Sequence, residues 1–333
     1  MFVLVSLLMF LPACSFFKPN IKEISSIQKI KKELDRADHD TLVIFDVDDT
    51  LTYNVNVPFQ PWFLKTDAGK KFYAQLEKHS QSKKDPRDYE KHILGNRLLK
   101  FTNQPLESNI VEIIRKLQNR GIKVIALTHA NTGSLGRTII PSLPKWRYEK
   151  LRDVGIDFSS SFEQQEIPLT NLTSQANRHP LFYRGIVMTD DFPKGEVLAE
   201  FLDVTKLEPK KVIFIDDRIH YVQSVHNEMQ KRGIDFKGYV YRAIDALPQV
   251  FDQKILDYQL KHLKEHDEFI SDEQVKLALS RNRKESTRES IFDKVVSIPK
   301  KLVLDIPKLP PYCDEIADLK MGFADIENGK LYV

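Results

Sequence analysis

The stretch Thr41-Leu-Val-Ile-Phe-Asp-Val-Asp-Asp-Thr-Leu-Thr52 decides the fold of this chain. Its first five residues are apolar or β-branched, and aspartates follow directly. A short run of this kind is typical of a strand that is buried on both faces of a parallel sheet. Because ligands bind at the carboxyl ends of the strands in such a sheet, the aspartates indicate a functional site.

Further runs of the same type recur along the chain and alternate with helical patterns. We expect strands at 123–127, 185–188, 211–215 and 236–241, and helices at 108–120, 194–201 and 219–231. Strands that alternate with helices imply right-handed βαβ units. The sequence therefore predicts an α/β fold with a Rossmann-like, doubly wound parallel sheet.

Two segments interrupt this alternation. The first lies between the first strand and the first crossover helix, and about fifty residues are too many for a simple loop, so we expect an inserted helical cap. The second begins with a helical pattern at Phe251 and reaches a proline-punctuated stretch, Pro299–Pro311. The predicted organisation begins with a signal or anchor segment at 1–17. The core is in two parts, 18–52 and 106–250, with the helical cap inserted at 53–105. A C-terminal extension of unassigned role follows at 251–333.

The composition bounds the class of protein. The chain has 333 residues, 41% of them hydrophobic, and 50 basic against 47 acidic residues give a net charge of +3. The apolar content suffices for a sizeable core, and so small a positive surplus predicts no nucleic-acid partner. The sequence has two cysteines, Cys14 and Cys313, which excludes a disulfide scaffold and a Cys-rich zinc module.

The N-terminal segment differs from the rest because it is apolar and uncharged up to Lys18. A secretory signal is the natural interpretation, although the missing positive n-region indicates an atypical signal or a start further upstream. Leu11-Pro-Ala-Cys14 resembles the lipobox of bacterial lipoproteins, apart from Pro12, and predicts lipidation of Cys14. A plain signal peptide or a short membrane anchor is the alternative. We expect an exported protein, either periplasmic or anchored to the membrane through its N-terminus.

Acids at the predicted strand ends carry the chemistry. Asp46 and Asp48 follow the first strand, and Asp216 and Asp217 follow the strand at 211–215. Clustered carboxylates repel one another unless a cation lies among them, and oxygen ligands favour Mg²⁺ over zinc or copper. Such a metal is typical of phosphoryl chemistry, so we expect Mg²⁺ and a small phosphorylated substrate. Asp216 would complete the metal site and Asp217 would tune a water on the metal.

The remaining roles follow from what cleavage of a phosphate ester requires. Asp46 comes first after the strand and is the expected nucleophile, which forms an aspartyl-phosphate. Asp48 points the same way in an extended chain and supplies the general acid and base. Thr128 at a strand end and Lys194 at a helix start donate to the charge that develops on the phosphoryl oxygens.

These motifs, in this order, resemble motifs one to four of the haloacid dehalogenase superfamily. The resemblance rests on Asp46-x-Asp48-x-Thr50, Thr128, Lys194 and Asp216-Asp217. Most members of that superfamily are Mg²⁺-dependent phosphatases or phosphotransferases with a Rossmann-like core. The resemblance implies that Asp46, the carbonyl of Asp48, and Asp216 bind the metal, and that the second aspartate favours a phosphatase. The overall plan is also similar to exported bacterial members of unknown function.

The function that these residues predict is a Mg²⁺-dependent phosphomonoester hydrolase. A phosphotransferase or nucleotidase is one alternative, and a catalytically silent, membrane-anchored binding protein of the same fold is another. We expect a local structural role for His129. Asp190 and Asp191 either contact the substrate or a metal-bound water, or form a turn. The aromatic residues between Tyr53 and Phe63 either line a substrate pocket or form the core of the cap.

Overall fold

The computed structural model describes residues 20–284, apart from residue 101 and residues 136–138. The predicted signal or anchor segment, with Cys14, lies outside the described residues. Pro299–Pro311 and Cys313 also lie outside them. The lipidation of Cys14 and the structure of the tail therefore stay predictions.

A sheet of eight strands forms the centre of the core. The strands of the described residues are, in chain order, β1 (Ile21–Ile24), β2 (Thr41–Phe45), β3 (Thr52–Asn54), β4 (Asn103–Pro105), β5 (Lys123–Thr128), β6 (Glu166–Pro168), β7 (Leu181–Tyr183), β8 (Ile186–Met188), β9 (Lys211–Asp216) and β10 (Asp235–Tyr241). The spatial order of the sheet is β1-β10-β9-β2-β5-β8-β7-β6. Neighbours from β1 to β8 are parallel, and β7 and β6 continue the sheet antiparallel.

Helices cover both faces of this sheet. The described helices are α1 (Lys31–Asp35), α2 (Pro61–Leu64), α3 (Asp67–Gln81), α4 (Pro86–Leu99), α5 (Ile110–Asn119), α6 (Leu143–Asp153), α7 (Lys194–Thr205), α8 (Ile219–Lys231), α9 (Gln253–His266) and α10 (Asp272–Lys284). Side chains of β2 alternate between the two faces. Val43 and Phe45 pack on the face that holds α5, and Leu42 and Ile44 pack on the face that holds α7 and α8. The predicted α/β fold with a doubly wound, largely parallel sheet is confirmed.

The structure adds elements that the sequence pattern did not predict. β1 pairs with β10, with Ile21 opposite Gly238, and extends the sheet past the last predicted strand. β6 and β7 add an antiparallel edge, and α6 lies between β5 and β6 along the chain. The added strands have three or four residues each, which is too short for a clear alternation of apolar and polar positions.

The insert after β2 contains the helices α2, α3 and α4. β3 and β4 pair at its entrance and exit, with Thr52 opposite Pro105. Thr66 caps α3 by accepting a hydrogen bond of 3.0 Å from the backbone N–H of Gly69. Glycine is required at position 69, because a Cβ there would lie 2.0 Å from the carbonyl oxygen of Phe63.

Helices α9 and α10 come from the extension to which the sequence assigned no role, and α9 packs on the insert. Phe63 and Phe72 of the insert share an apolar cluster with Leu256 and Leu260 of α9. A second cluster joins both segments through Phe59, Tyr89, Ile93, Leu263 and Phe269. The cap is therefore composite, since segments that are distant in sequence share one apolar interior. We call residues 53–105 together with α9 and α10 the composite cap.

A buried polar network fixes the junction of the two segments. Asp272, the first residue of α10, accepts hydrogen bonds from the backbone N–H of Val57 at 3.0 Å and from Nε2 of Gln259 at 2.8 Å. Its own backbone N–H donates to Oδ1 of Asn56 at 2.9 Å. Asp272, Gln259 and Asn56 are all buried. The start of α10 is thus tied to the start of the insert.

Candidate active site

The carboxyl ends of β2, β5 and β9 meet at one edge of the sheet. Phe45, the last residue of β2, lies opposite residues of both β5 and β9. The backbone N–H of Asp46 donates to the carbonyl of Ile215 at 2.9 Å and continues the pairing beyond the strand. The structure therefore brings Asp46, Thr128 and Asp216 to the same edge, where the sequence predicted the site.

Lys194, the first residue of α7, joins two of the acids. Its Nζ donates to Oδ1 of Asp46 at 2.5 Å and to Oδ2 of Asp216 at 2.6 Å. The same atom lies 4.4 Å from the ring centroid of Tyr221. Burial disfavours the ammonium charge, but the charges of Asp216 and Asp46 outweigh it and raise the pKa of Lys194. Lys194 is therefore a fixed, buried cation between two carboxylates.

Asp46, Asp216 and Asp217 form an acidic cluster in which one oxygen of each carboxylate lies within 4.8 Å of the others. Burial raises the pKa of Asp46 to about 6. Burial and the charges of Asp46 and Asp216 raise the pKa of Asp217 well above its ordinary value. Burial therefore disfavours the ionised forms of Asp46 and Asp217 even with the ammonium of Lys194 alongside. A set of oxygen donors with excess negative charge fits a divalent hard cation.

The loop after β2 positions Thr50 against the loop after β9. Asp49 has a φ of 61°, and the backbone N–H of Thr52 donates to the carbonyl of Val47 at 3.0 Å. Oγ1 of the buried Thr50 accepts a hydrogen bond of 3.1 Å from the backbone N–H of Asp217. Thr50 thus holds two acid-bearing loops together, a positioning role that the sequence pattern did not assign.

Asp48 is paired with Arg147 of α6. Nη1 of Arg147 donates to Oδ1 of Asp48 at 2.6 Å. The side chain of Asp48 is 34% exposed, whereas that of Asp46 is 8% exposed. Asp48 therefore lies nearer to solvent than Asp46, and its carboxylate stands apart from the acidic cluster. Sequence reasoning missed Arg147, because α6 was not predicted and no pattern near position 147 points to the site.

Thr128 and His129 end β5 beside the acidic cluster. Thr128 is buried, and its carbonyl accepts a hydrogen bond of 3.0 Å from the backbone N–H of Thr189. Nδ1 of His129 lies 3.1 Å from Oγ1 of Thr189. Burial, together with the charges of Lys194 and Arg218, lowers the pKa of His129 and favours its neutral form. Binding of a phosphoryl group by Thr128 stays a prediction.

Asp190, at the end of β8, is engaged in a structural pair. Nε and Nη2 of Arg178 donate to its two carboxylate oxygens at 2.8 and 2.7 Å. Nη2 of Arg178 also donates to Oδ1 of Asn131 at 2.7 Å. Because both oxygens of Asp190 are occupied, this residue fixes the loops after β5 and β8 to each other. Of the two roles considered for Asp190, the structural one accounts for these contacts.

A family model described as "Protein of unknown function (DUF2608)" matches residues 23–276. The chain belongs to this family. The match takes in the sheet, the insert, α9 and the start of α10. The insert and α9 therefore fall within the DUF2608 boundaries, and α10 extends past them.

The assignment to the haloacid dehalogenase superfamily is wrong. The DUF2608 match over residues 23–276 replaces that assignment. The predicted likeness to exported members of the superfamily is withdrawn for the same reason. The motif resemblance arises from acids and a lysine at the open edge of a parallel sheet, and chemistry at such an edge does not specify a family. The functional argument below therefore rests on the residues and their geometry.

The relatives extend over most of the chain. An "Uncharacterized protein" of Rickettsia bellii is 27% identical over 248 residues, which cover 70% of this chain and 80% of the relative. Proteins of Chlamydia pneumoniae and Chlamydia trachomatis are each 24% identical, over 258 and 273 residues, and cover 77% and 82% of this chain. The alignments span 90% and 94% of these two relatives, and both are named "Putative outer membrane protein". No solved structure matches the chain.

Membrane-spanning helices were searched for in the part of the chain that the structure describes. None of its helices combines the length and the apolar character that are needed to cross a bilayer.

Proposed function

We propose that this protein is a Mg²⁺-dependent phosphomonoester hydrolase that acts through an aspartyl-phosphate on Asp46. The observation that carries the proposal is the contact of Asp46 with Lys194 inside an acidic cluster at the carboxyl edge of a parallel sheet. Lys194 engages Oδ1 of Asp46, so we assign the attack on phosphorus to Oδ2. A buried ammonium beside the nucleophile also supplies charge where phosphoryl oxygens become more negative.

The residues that would hold the metal are Asp46 and Asp216, with Asp217 in support, since these three carboxylates form the acidic cluster. A further contact from the backbone carbonyl of Asp48 stays a prediction. Bound there, Mg²⁺ neutralises charge on the transferring phosphoryl group. The support for this assignment is the oxygen donor set and the raised pKa values of Asp46 and Asp217. Both values reflect carboxylates whose charge the protein alone does not fully offset.

The reaction has two steps. First, Oδ2 of Asp46 attacks phosphorus, the bond from phosphorus to the ester oxygen breaks, and the carboxyl of Asp48 gives its proton to the departing oxygen. Second, water attacks phosphorus, the bond from phosphorus to Asp46 breaks, and Asp48 takes a proton from the water. Inorganic phosphate leaves and both aspartates return to their starting forms. Lys194 and Thr128 donate to the phosphoryl oxygens in both steps.

Two other functions compete with hydrolysis. A phosphotransferase or a nucleotidase would use the same first step with a different acceptor or a nucleotide substrate. A binding protein without turnover accounts less well for Lys194, because burying an ammonium between two carboxylates carries a desolvation cost that a surface for binding alone does not require.

A panel of phosphate esters, assayed for phosphate release with Mg²⁺ and with EDTA, tests the proposal. We expect release with Mg²⁺, its loss in EDTA, and its loss in Asp46→Asn. The matched control is Asp40→Asn, which changes an exposed aspartate paired with Lys210 and should keep activity. Full activity after chelation would contradict the metal assignment, and no release from any ester would contradict the hydrolase. Transfer of phosphate to an added alcohol in place of release would favour the phosphotransferase.

We also propose that the protein is exported and held at a membrane by lipidated Cys14. The support is the apolar segment 1–17 and the names of the two chlamydial relatives. Labelled palmitate should enter the wild type and Cys313→Ser, but not Cys14→Ser. Recovery of the unprocessed, full-length chain in the soluble cytosol of its host would overturn both export and lipidation.

A further inference from the structure

Arg147 has more hydrogen-bond donors than its contacts use. Its Nη1 donates to Asp48, while its buried Nε has no acceptor among the described residues. A guanidinium carries five N–H donors in one plane, and this geometry matches the paired oxygens of a carboxylate or a phosphate. The side chain is 12% exposed, so the unused donors lie in a largely water-excluded place.

The fold holds this guanidinium firmly. Oγ of Ser142 caps α6 by accepting from the backbone N–H of Lys145 at 3.3 Å. The guanidinium carbon of Arg147 lies 5.2 Å from the ring centroid of Trp146. Trp146 in turn packs in an apolar cluster with Leu98 of α4, which belongs to the composite cap. Arg147 therefore extends from the junction of core and cap towards Asp48, and such a position suits recognition of a ligand.

The position of Arg147 relative to the acids indicates which part of a substrate it would meet. Asp46 and Lys194 form the buried floor on which the phosphoryl group would react. Asp48, the proposed proton donor to the leaving group, is the more exposed of the two aspartates and is the one that Arg147 contacts. Arg147 would consequently lie beside the leaving group of a phosphate ester whose phosphorus faces Asp46.

We propose that Arg147 is a specificity-determining residue that binds a second anionic group, a carboxylate or a phosphate, on the leaving group of the substrate. This inference rests on the proposed phosphatase function and names its substrate class. The preferred substrates are small phosphate esters whose alcohol carries its own negative charge. Asp48 takes one donor of Arg147, and the remaining N–H donors of the Nη atoms bind the anion of the substrate.

Esters matched in size but different in charge test this inference. The first pair is 2-phosphoglycolate and its amide, and the second pair is ethane-1,2-diol bisphosphate and the monophosphate. We expect the wild type to favour the anionic member of at least one pair by about 10- to 100-fold in kcat/KM, mainly through KM, as charge-assisted hydrogen bonds imply. In Arg147→Met that ratio should fall to near 1. Lys145→Met, an exposed cation on the same helix, should keep it.

The ratio separates recognition from a merely structural role, because damage to Asp48 or to the fold slows both members of a pair equally. The inference would be overturned if Arg147→Met lowered kcat/KM equally for esters with an anionic and with an uncharged leaving group. It would also be overturned if the wild type showed no preference within either pair. Calorimetric titration of Asp46→Asn, with and without Arg147→Met, gives a second readout that needs no turnover. The ligands are the two members of the pair for which the wild type shows its kinetic preference. Tighter binding of the member with the second anionic group, lost with Arg147→Met, supports the inference, and equal affinities overturn it. Failure of the proposed function would appear separately, as wild-type protein that hydrolyses none of these esters with Mg²⁺.

Discussion

The carboxyl edge of the sheet and the composite cap are assembled from the chain in opposite ways. At the sheet edge, Asp46 follows β2 directly, Asp216 is the last residue of β9, and Lys194 begins the helix that precedes β9. In the composite cap, Phe63 packs with Leu260, a residue far along the chain that enters only after the core is complete. One region is built by successive βα units, and the other by contacts between distant segments.

The comparison indicates which parts of the chain determine the proposed chemistry and which determine the stability of the cap. The residues to which we assign the proposed reaction lie on rigid strand ends and a helix start, where the backbone dictates their place. The cap has no comparable local rule, because its interior exists only when both segments dock. We therefore expect substitutions at the edge to change turnover and substitutions in the cap to change local stability.

The largest expected effect is at the edge. Asp46→Asn should lower turnover by at least about 10⁴-fold, since a carboxamide is a poor nucleophile and removes one metal charge. Because burial already disfavours the charge of Asp46, the folded state should tolerate the substitution. Phosphate release and thermal denaturation measured on the same sample check both statements. Retained turnover would remove Asp46 from its proposed role.

The next effect is in the cap. Leu260→Ala should cost about 2–5 kcal/mol in the stability of the composite cap, since it opens a cavity against Phe63 and Phe72. Hydrogen exchange should show faster opening across 53–105 with little change in the central strands. Leu277→Ala removes a leucine that is 51% exposed and serves as the control. If the sheet opened together with the insert, the cap would not be a separate unit of stability.

A smaller effect is expected at the polar junction. Asp272→Ala would leave the Val57 N–H and one of the two Nε2 hydrogens of Gln259 without an acceptor, since the other donates to the carbonyl of Ile270, at a cost of about 1–3 kcal/mol. Chemical denaturation measures this loss, with the exposed Asp257→Ala on α9 as the matched variant. Unchanged stability in Asp272→Ala would mean that apolar packing alone joins the two segments.

The smallest effect is a dependence of metal-free stability on pH. Burial raises the pKa of Asp46 to about 6. Burial, together with the charge of Asp48, raises the pKa of Asp49 to about 7. At pH values above 3.8, the ordinary pKa of an aspartate, these two groups therefore hold more protons in the folded state than in the unfolded state. The contribution of these two groups to stability in EDTA should therefore fall as pH rises through this window, by up to about 1.4 kcal/mol per pH unit for each group.

Denaturation midpoints in EDTA and in Mg²⁺ check this sign. Mg²⁺ should reduce the loss of stability with rising pH, because a bound cation compensates the charge of the ionised carboxylates. Asp49→Asn should reduce the same pH dependence of stability in EDTA. Asp267, which follows the last residue of α9, has a lowered pKa, so its contribution to stability is lost only as pH falls below 3.8. Because the lowered pKa of His129 acts in the opposite direction, the difference between the wild type and Asp49→Asn is the deciding quantity. The same pH dependence of stability in both proteins between about pH 4 and pH 7 in EDTA would contradict this account of the cluster.

The sequence predicted most of the sheet and most of the edge. Asp46, Thr128 and Asp216 could be located because each ends a strand with a strong apolar pattern, and parallel strands bring such ends together. Lys194 was identifiable because it opens a helix after a strand. The family could not be inferred from these residues, because acids and a lysine at such an edge satisfy chemical needs that proteins of different families share.

The remaining features depend on contacts that no local pattern reveals. Arg147 reaches Asp48 across 99 positions of sequence, from a helix with a weak amphipathic pattern. The docking of α9 on the insert depends on matching apolar surfaces, and neither surface specifies its partner alone. The pairing of β1 with β10 likewise joins the two ends of the core through a four-residue strand.

The most direct test of the central claim is a search for phosphate bound covalently to Asp46 in Asp48→Asn. This variant keeps the nucleophile but lacks the base for water, so general acid–base help worth about 10²–10⁴ in rate is lost and the aspartyl-phosphate should accumulate. We expect intact-mass and peptide mass spectrometry, after brief reaction with an aryl phosphate and Mg²⁺, to find one phosphoryl group on the peptide that contains Asp46. The group should be absent with EDTA and in Asp46→Asn. A variant that hydrolyses the ester at the wild-type rate, or that neither turns over nor becomes phosphorylated while the wild type does, would contradict the account.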